Sequence, residues 1–417
     1  MTEPAEAADT PTARPRPNAL GSILLTYLAL LGFLAPLEGS IGLATYADWW
    51  NRALDWIVPR AGRALFGVEA VQHPTGSGDT AFQWVLSFCL LAVAVPLGAL
   101  AARLPAARAR AVRLAATGFV RLCLALALIS YGAAKVYPSQ FPPLAIDRLL
   151  QRVGDASPMG VLWTFMSASP AYTVLAGAAE ILAGILLCAR RTALLGALFA
   201  AGILANVFAL NLCYDVPVKL YSGQLLLMAL LVMVSDAARL LAVFVTGAPA
   251  PAARREALFE RPLWHRATLA LRTGLVAYAL VTGLAECAAD EAAFAARKAD
   301  PLFGLWEVQR IEAEGDLRRT RYVVVDYPGV VAFLRDDATR TRYAATRDDV
   351  AGTLVLKERF REEVLLSLRV ERKGEVVSLE GTASGAPVAL DLRRIPVPPM
   401  RLHEHPFRLV QEYSANH

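Results

Sequence analysis

The stretch Asn206-Val-Phe-Ala-Leu-Asn211-Leu-Cys-Tyr-Asp215-Val-Pro-Val-Lys219-Leu-Tyr-Ser222 sets two amides, a carboxylate and an ammonium in the seam between two long apolar runs. Polar side chains are costly in hydrocarbon, so a cluster of them marks either a binding site or a lock between helices. Arg121, Tyr131, Lys135, Glu180 and Gln224 interrupt neighbouring apolar runs in the same way. With Asn206, Asn211, Asp215 and Lys219 they make nine candidate ligand-binding residues. Lys135 and Lys219 favour an anionic or carbonyl-bearing ligand, and Glu180, Asn206 and Lys135 are the groups able to hydrogen-bond or protonate it. The competing reading is interhelical hydrogen bonding and a solvated turn, with no ligand at all.

Other chemistries have little to stand on. The histidines are His73, His265, His403, His405 and His417, none in the middle of an apolar run, so haem ligation inside a bilayer is not expected. His403 and His405 supply two imidazoles, short of the four ligands of a zinc site, and no metal centre is expected. The five cysteines are isolated and form no C-x-x-C pair, so neither a disulfide framework nor dithiol chemistry is expected. Gly76-Ser-Gly-Asp-Thr80 lacks the lysine of a phosphate loop and reads as a turn in which Asp79 or Thr80 caps the next helix. No catalytic residue stands out, and no reaction is assigned.

The elements that must position these groups are membrane helices. Of 417 residues, 56% are hydrophobic, and the mean hydropathy is +0.42, too apolar for an ordinary soluble domain. Seven apolar runs are long enough to span a bilayer: 20–37, 82–101, 112–136, 171–189, 192–212, 220–245 and 267–287. Arginines crowd alternate connections: Arg14 and Arg16, then Arg103, Arg108, Arg110 and Arg113, then Arg190 and Arg191, then Arg254, Arg255, Arg261 and Arg266. The positive-inside rule then places the N-terminus in the cytoplasm and the C-terminal region outside. Anionic lipid headgroups are the expected partners of these arginines, and nothing points to nucleic acid. Trp49, Trp56 and Ile57 lie near one helical face and suggest a helix on the outer membrane surface. Leu162-Trp-Thr-Phe-Met166 reads as a further short interfacial helix.

Helix rise sets relative depths. Counting Arg121 outward from Val112 and Glu180 from Ala189 puts both at about 14 Å, which predicts an Arg121–Glu180 ion pair. Asn206 lies at about 21 Å, level with Gln224, and Tyr131, Lys135, Asn211, Asp215 and Lys219 lie nearer the outer rim. Asp236 and Arg239, three apart, predict a surface pair.

From about Asp300 short alternating segments replace the long runs, from Phe303–Ile311 to Phe407–Gln411, with turn signals at Lys373-Gly374 and Ser384-Gly385. Eight or nine strands with no helices between them predict an antiparallel barrel or sandwich. Gly304-Leu-Trp306 resembles the G-x-W of lipocalin-like barrels.

Tyr131-Gly-Ala-Ala-Lys135, Ser157-Pro-Met-Gly160, Leu162–Met166, Glu180-Ile-Leu-Ala-Gly184, Arg190-Arg-Thr192 and Asn206–Lys219 together resemble the DoxX-like family of bacterial membrane proteins, over 112–245. The resemblance implies a four-helix core in the inner membrane. It also implies kinship with the DoxD subunit of a thiosulfate:quinone oxidoreductase, hence a quinone as ligand and a redox partner protein, because the chain carries no redox centre. The second hypothesis is a non-enzymatic scaffold or small-solute transporter whose external domain binds a partner. The expected organisation is a cytoplasmic tail (1–19), a first helix pair with its outer loop (20–111), the four-helix core (112–245), a loop with the seventh helix (246–299) and an extracytoplasmic β-domain (300–417). That domain is expected to dock over a mouth formed by Lys135, Asp215 and Lys219.

Overall fold

The computed structural model describes residues 18–34, 44–73, 75–250, 262–348, 350–358, 363–400 and 402. The N-terminal tail, Arg254, Arg255, Arg261, His403, His405, His417 and the segment Phe407–Gln411 lie outside them. The chain is a helical bundle followed by a β-barrel. The helices are α1 (Ala19–Leu34), α2 (Ala44–Phe66), α3 (Ala81–Arg103), α4 (Ala106–Val136), α5 (Ile146–Leu149), α6 (Pro158–Ala168), α7 (Pro170–Cys188), α8 (Ala193–Cys213), α9 (Lys219–Val234), α10 (Ala237–Leu241) and α11 (Pro262–Ala296).

Five of these helices, α3, α4, α7, α8 and α11, are long and apolar enough to cross a membrane. All seven expected spans fall on helices where they are described, with one correction. The run 220–245 is not one straight span: after Val234 the chain turns by 81° into α10 and the π-helical segment Ala242–Thr246. Asp236 sits at that corner and pairs with Arg239 at 2.8 Å, as its spacing predicts. The described part of the first run is the helix Ala19–Leu34, 16 residues and about 24 Å long, and 35–37 lie outside the described residues.

The central helix is α4, whose residues from Val120 to Ile129 are nearly all buried. Its 31 residues reach about 46 Å, so its arginine-rich first turns extend beyond an apolar layer of about 30 Å. Helix α7 runs antiparallel to it at backbone contact. A Cβ at Gly177 would lie 2.5 Å from the Gly132 carbonyl oxygen, and one at Gly184 would lie 2.8 Å from that of Ala125. Small residues let apolar helices approach this closely and fix their register, because any side chain at these positions would push the pair apart.

The surface helix expected after the first span is α2. It packs inward through Leu54 and Val58 and leaves Trp56 and Ile57 exposed. Helix α6 forms where a short helix was expected, started by Ser157, whose Oγ accepts from the Gly160 N–H.

The C-terminal region is a closed eight-stranded antiparallel barrel with every strand beside its sequence neighbours and the last paired to the first. The strands are β1 (Gly304–Glu312), β2 (Thr320–Tyr327), β3 (Val330–Arg335), β4 (Arg340–Asp348), β5 (Thr353–Glu358), β6 (Val364–Lys373), β7 (Val376–Ala383) and β8 (Ala386–Ile395). Closure leaves no unpaired edge. Alternate residues of each strand fill the interior, among them Leu354 and Leu356, Leu366 and Leu368, and Leu390 and Leu392. Trp306 plugs one end, its indole N–H donating to the Leu302 carbonyl at 2.8 Å. The β7–β8 turn carries Ser384 and Gly385, both at positive φ, as a two-residue hairpin turn requires.

Candidate functional site

The nine candidate residues separate into distinct clusters rather than one mouth. In the first, Lys135 donates to Glu180 across the α4–α7 contact at 2.8 Å, with both side chains buried. The Lys135 ammonium also lies 3.4 Å from the Tyr131 carbonyl and 5.5 Å from the centre of the Tyr131 ring. The Tyr131 and Tyr221 rings are 6.2 Å apart.

The expected Arg121–Glu180 pair is therefore wrong. Counting from the Gly132–Gly177 and Ala125–Gly184 contacts puts Glu180 level with Ile129, and Arg121 level with Cys188. From Ile129 to Arg121 is eight residues, about 12 Å. The depth count took the ends of the two apolar runs as level, whereas α4 begins at Ala106 and overshoots the end of α7. Side-chain direction decides the rest. Helical side chains lean toward their own N-terminus, so on antiparallel helices Lys135 and Glu180 lean toward each other while Arg121 leans away.

In the second cluster Asp215, at φ +52 and largely exposed, pairs with Lys219 at 2.8 Å. The Asp79 carboxylate accepts from the backbone N–H groups of Lys219 and Leu220, both at 2.9 Å. It thus caps α9 from a distant part of the chain. Thr80 performs the capping expected of this turn, accepting from the Gln83 N–H at the start of α3. The Gly78 N–H donates to the Pro217 carbonyl at 2.7 Å. The turn at 78–79, not the barrel, covers the Asp215–Lys219 turn. Replacing Asp79 with alanine leaves two N–H groups of α9 without acceptors, and is expected to cost about 1–2 kcal/mol. A lowered melting temperature with unchanged helix content by circular dichroism checks this.

The remaining groups lock helices. Asn211 donates to the Ser222 hydroxyl at 2.9 Å and ties α8 to α9. Gln224 donates to the Tyr27 and Ser87 hydroxyls at 3.0 and 3.1 Å and ties α9 to α1 and α3. Asn206 is exposed and joins none of these groups. Five residues from Asn211, it points about 140° away around the helix.

Beside the first cluster lies a cavity of about 150 Å³ lined by Lys135, Phe141, Leu144, Met166, Thr173 and Leu402 among others. Its floor is α4, its walls are α6 and the start of α7, and its roof is the segment 138–144. The barrel anchors that roof. Asp147 on α5 accepts from Arg342 at 2.6 and 2.9 Å and from Arg340 at 2.9 Å. The Ile146 N–H donates to Asp326 at 2.7 Å, and Arg297 donates to the Asp326 carbonyl and carboxylate. Ile146 packs with Leu305, Val324, Ala332 and Leu334 on the outside of the barrel. Burial alone would raise the Asp147 carboxyl, but the hydrogen bonds and charges of Arg342 and Arg340 outweigh it and hold the group below the ordinary carboxylate range. At Asp326 burial wins and its carboxyl is raised.

The barrel therefore meets the bundle at α5, beside the Lys135 cavity. Sequence reading missed Asp147, Arg340, Arg342, Asp326 and Arg297. One signal was present: Arg340 and Arg342 alternate along a strand and so share a face. Among the described residues no group of three or more histidines, cysteines, aspartates or glutamates is placed to hold a metal ion, and the five cysteines are free thiols.

Fold and site together define a multi-pass helical bundle with a buried lysine–glutamate pair and an appended eight-stranded barrel. The chain is 34% identical over 137 residues to "Uncharacterized protein YwoB" of Bacillus subtilis (strain 168), a match covering 32% of this chain and 86% of the relative. The chain belongs to the same family as that protein. No family model and no solved structure matches it.

Proposed function

We propose that this is a DoxX-like protein of the bacterial inner membrane that binds the ring of a quinone, or of a comparable lipophilic carbonyl compound, in the cavity beside Lys135. The observation that carries the reading is the pairing of that cavity with a buried, charged Lys135–Glu180 couple. An apolar cavity of this volume accepts a molecule of about one six-membered ring. An ammonium held by a carboxylate is a hydrogen-bond donor to a carbonyl oxygen and a proton source for a reduced one. Ionisable groups inside a bundle are expensive and are retained where they serve a ligand or a proton path. The match of 137 residues suits a four-helix unit rather than the whole chain.

The orientation follows from charge. Arg103, Arg108, Arg110, Arg113, Arg190 and Arg191 gather at the end of the bundle opposite the barrel. The positive-inside rule makes that end cytoplasmic and the barrel extracytoplasmic, where it can receive a redox partner protein. A second reading, a non-enzymatic scaffold, draws on the barrel's apolar filling and on the helix locks at Asn211 and Gln224.

Organic extraction of the purified protein, followed by chromatography, tests the reading. A quinone is expected in the wild-type extract at near one per chain. Ala168→Phe, which fills the cavity from its wall, is expected to reduce it about ten-fold without lowering the melting temperature. Equal extracts from wild type and variant would leave the scaffold.

A further inference from the structure

Part of the wall of the Lys135 cavity is carried by the barrel, not by the bundle. The roof divides at Pro142-Pro143. Before that point Phe141 is buried with Leu162, Met166 and Val216, and its ring lies 5.2 Å from that of Trp163, so this half belongs to the bundle. After it, Leu144 lines the cavity and leads in two residues to Ile146, whose N–H and side chain are both held by the barrel. The second barrel-borne wall is Leu402, seven residues past Ile395 at the end of β8. Leu402 is exposed as well as lining, so it stands at the mouth. Pro396-Val-Pro-Pro399 lies in the connection, and proline-rich segments are semi-rigid, so a shift of β8 is passed along it rather than absorbed. Lys135, Val136, Met166, Thr173 and Val174, on the facing side, stay with α4, α6 and α7.

The barrel is fixed to the bundle in two unlike ways. Helix α11 is its covalent tether, and Arg297, the residue after that helix, donates to Asp326 of β2. Helix α5 is its seat. That seat is one turn of helix, with Asp147 against Arg340 and Arg342 and with Ile146 on the outer apolar patch. A covalent tether survives motion, whereas a seat can part. Contacts between domains of one chain permit relative motion unless they are large and hydrophobic. Parting at α5 draws Leu144 and Leu402 away from Met166 and Thr173 together, and so widens the mouth.

We propose that the barrel gates the cavity assigned above to a quinone ring, a role that rests on that reading for its ligand and on the junction alone for its motion. Seated on α5, the barrel holds Leu144 and Leu402 over the site; rocking about α11, it admits the ligand. Linkage makes the gate reciprocal. An occupant that touches the barrel-borne walls and the bundle tightens the seat, and loosening the seat speeds exchange.

The rate at which N-ethylmaleimide alkylates Thr173→Cys in the full-length protein, read by peptide mass spectrometry, reports how often the cavity opens. Buried Cys123 of α4 is the internal standard. Adding Asp147→Asn, which loosens the seat, or Leu402→Ala, which cuts back the wall at the mouth, is expected to raise the rate at position 173 about ten-fold and to leave Cys123 unchanged. Duroquinone, a single substituted ring, is expected to slow labelling at position 173 when the seat is intact. Equal rates at position 173 with and without the second substitution overturn the gate, as does a rise that Cys123 shares. Duroquinone without effect on a labelling that both substitutions accelerate removes the quinone reading and leaves the gate standing. Should Asp147→Asn fail to assemble, Leu402→Ala carries the comparison alone.

Discussion

Replacing Glu180 with leucine while Lys135 stays in place is expected to destabilise the bundle by about 3–5 kcal/mol, the usual cost of leaving one member of a buried ion pair without its partner. The pair sits where α4 and α7 meet at backbone contact, next to the Gly132–Gly177 approach, with both side chains buried, so the orphaned ammonium loses its carboxylate partner in largely apolar surroundings. Lys135→Met alone should cost a similar amount, because it strands the carboxylate instead. The double variant, Lys135→Met with Glu180→Leu, removes both charges and is expected to recover most of the loss, since a buried pair and an apolar pair of similar volume are often equivalent in stability. Thermal unfolding in detergent, read as a double-mutant cycle, gives the coupling.

The same cycle separates structure from function. If the couple serves only packing, the double variant regains stability and extracts as much quinone as wild type. If it binds the ligand, stability returns and the ligand does not. An additive cycle, with no recovery in the double variant, would contradict a direct Lys135–Glu180 interaction.

What the sequence could reveal follows from which forces are local. The seven apolar runs fall on helices and the eight strands on alternating segments, because burial in lipid and in a barrel each impresses its own period on the chain. Pairwise contacts were harder. The Arg121–Glu180 expectation failed through an error of register that no hydropathy pattern can correct, since the register is set by Gly132, Gly177 and Gly184 and only a partner helix shows which glycines face inward. Asn206 was grouped with Asn211 by proximity along the chain, whereas five residues of helix turn them apart. Asp79 was recognised as a cap, but its helix is α9, which begins 140 residues later than the carboxylate that caps it. The anchoring of the barrel joins Asp147 to arginines almost two hundred residues away, a distance at which sequence order carries no information.

That anchor supports the largest expected effect outside the bundle. Asp147→Ala removes a 4% exposed carboxylate that receives three hydrogen bonds from two guanidinium groups, two of them from Arg342 beside an apolar patch. A loss of about 3–5 kcal/mol is expected at the junction. It should appear in hydrogen exchange as lost protection of 144–150 and of the outer face of β2–β4, while the barrel interior around Trp306 and Leu356 keeps its protection because its core is its own. Protection lost throughout the barrel would show instead that the barrel depends on the bundle to fold. The junction also has a pH signature. Asp147 has a folded-state pKa below its ordinary value of 3.8, so its contribution is complete above that value and fades as the pH falls through the depressed one. Asp326 has the opposite sign: its raised carboxyl favours the protonated form in the docked state, so it offsets part of the acid loss. Junction protection should therefore hold constant from pH 7 to about 5 and decline only below about 4. Asp147→Asn keeps the shape of the side chain but cannot titrate, and its junction, weaker at neutral pH, should show no such decline. An acid limb that survives in Asp147→Asn would assign it to another carboxylate.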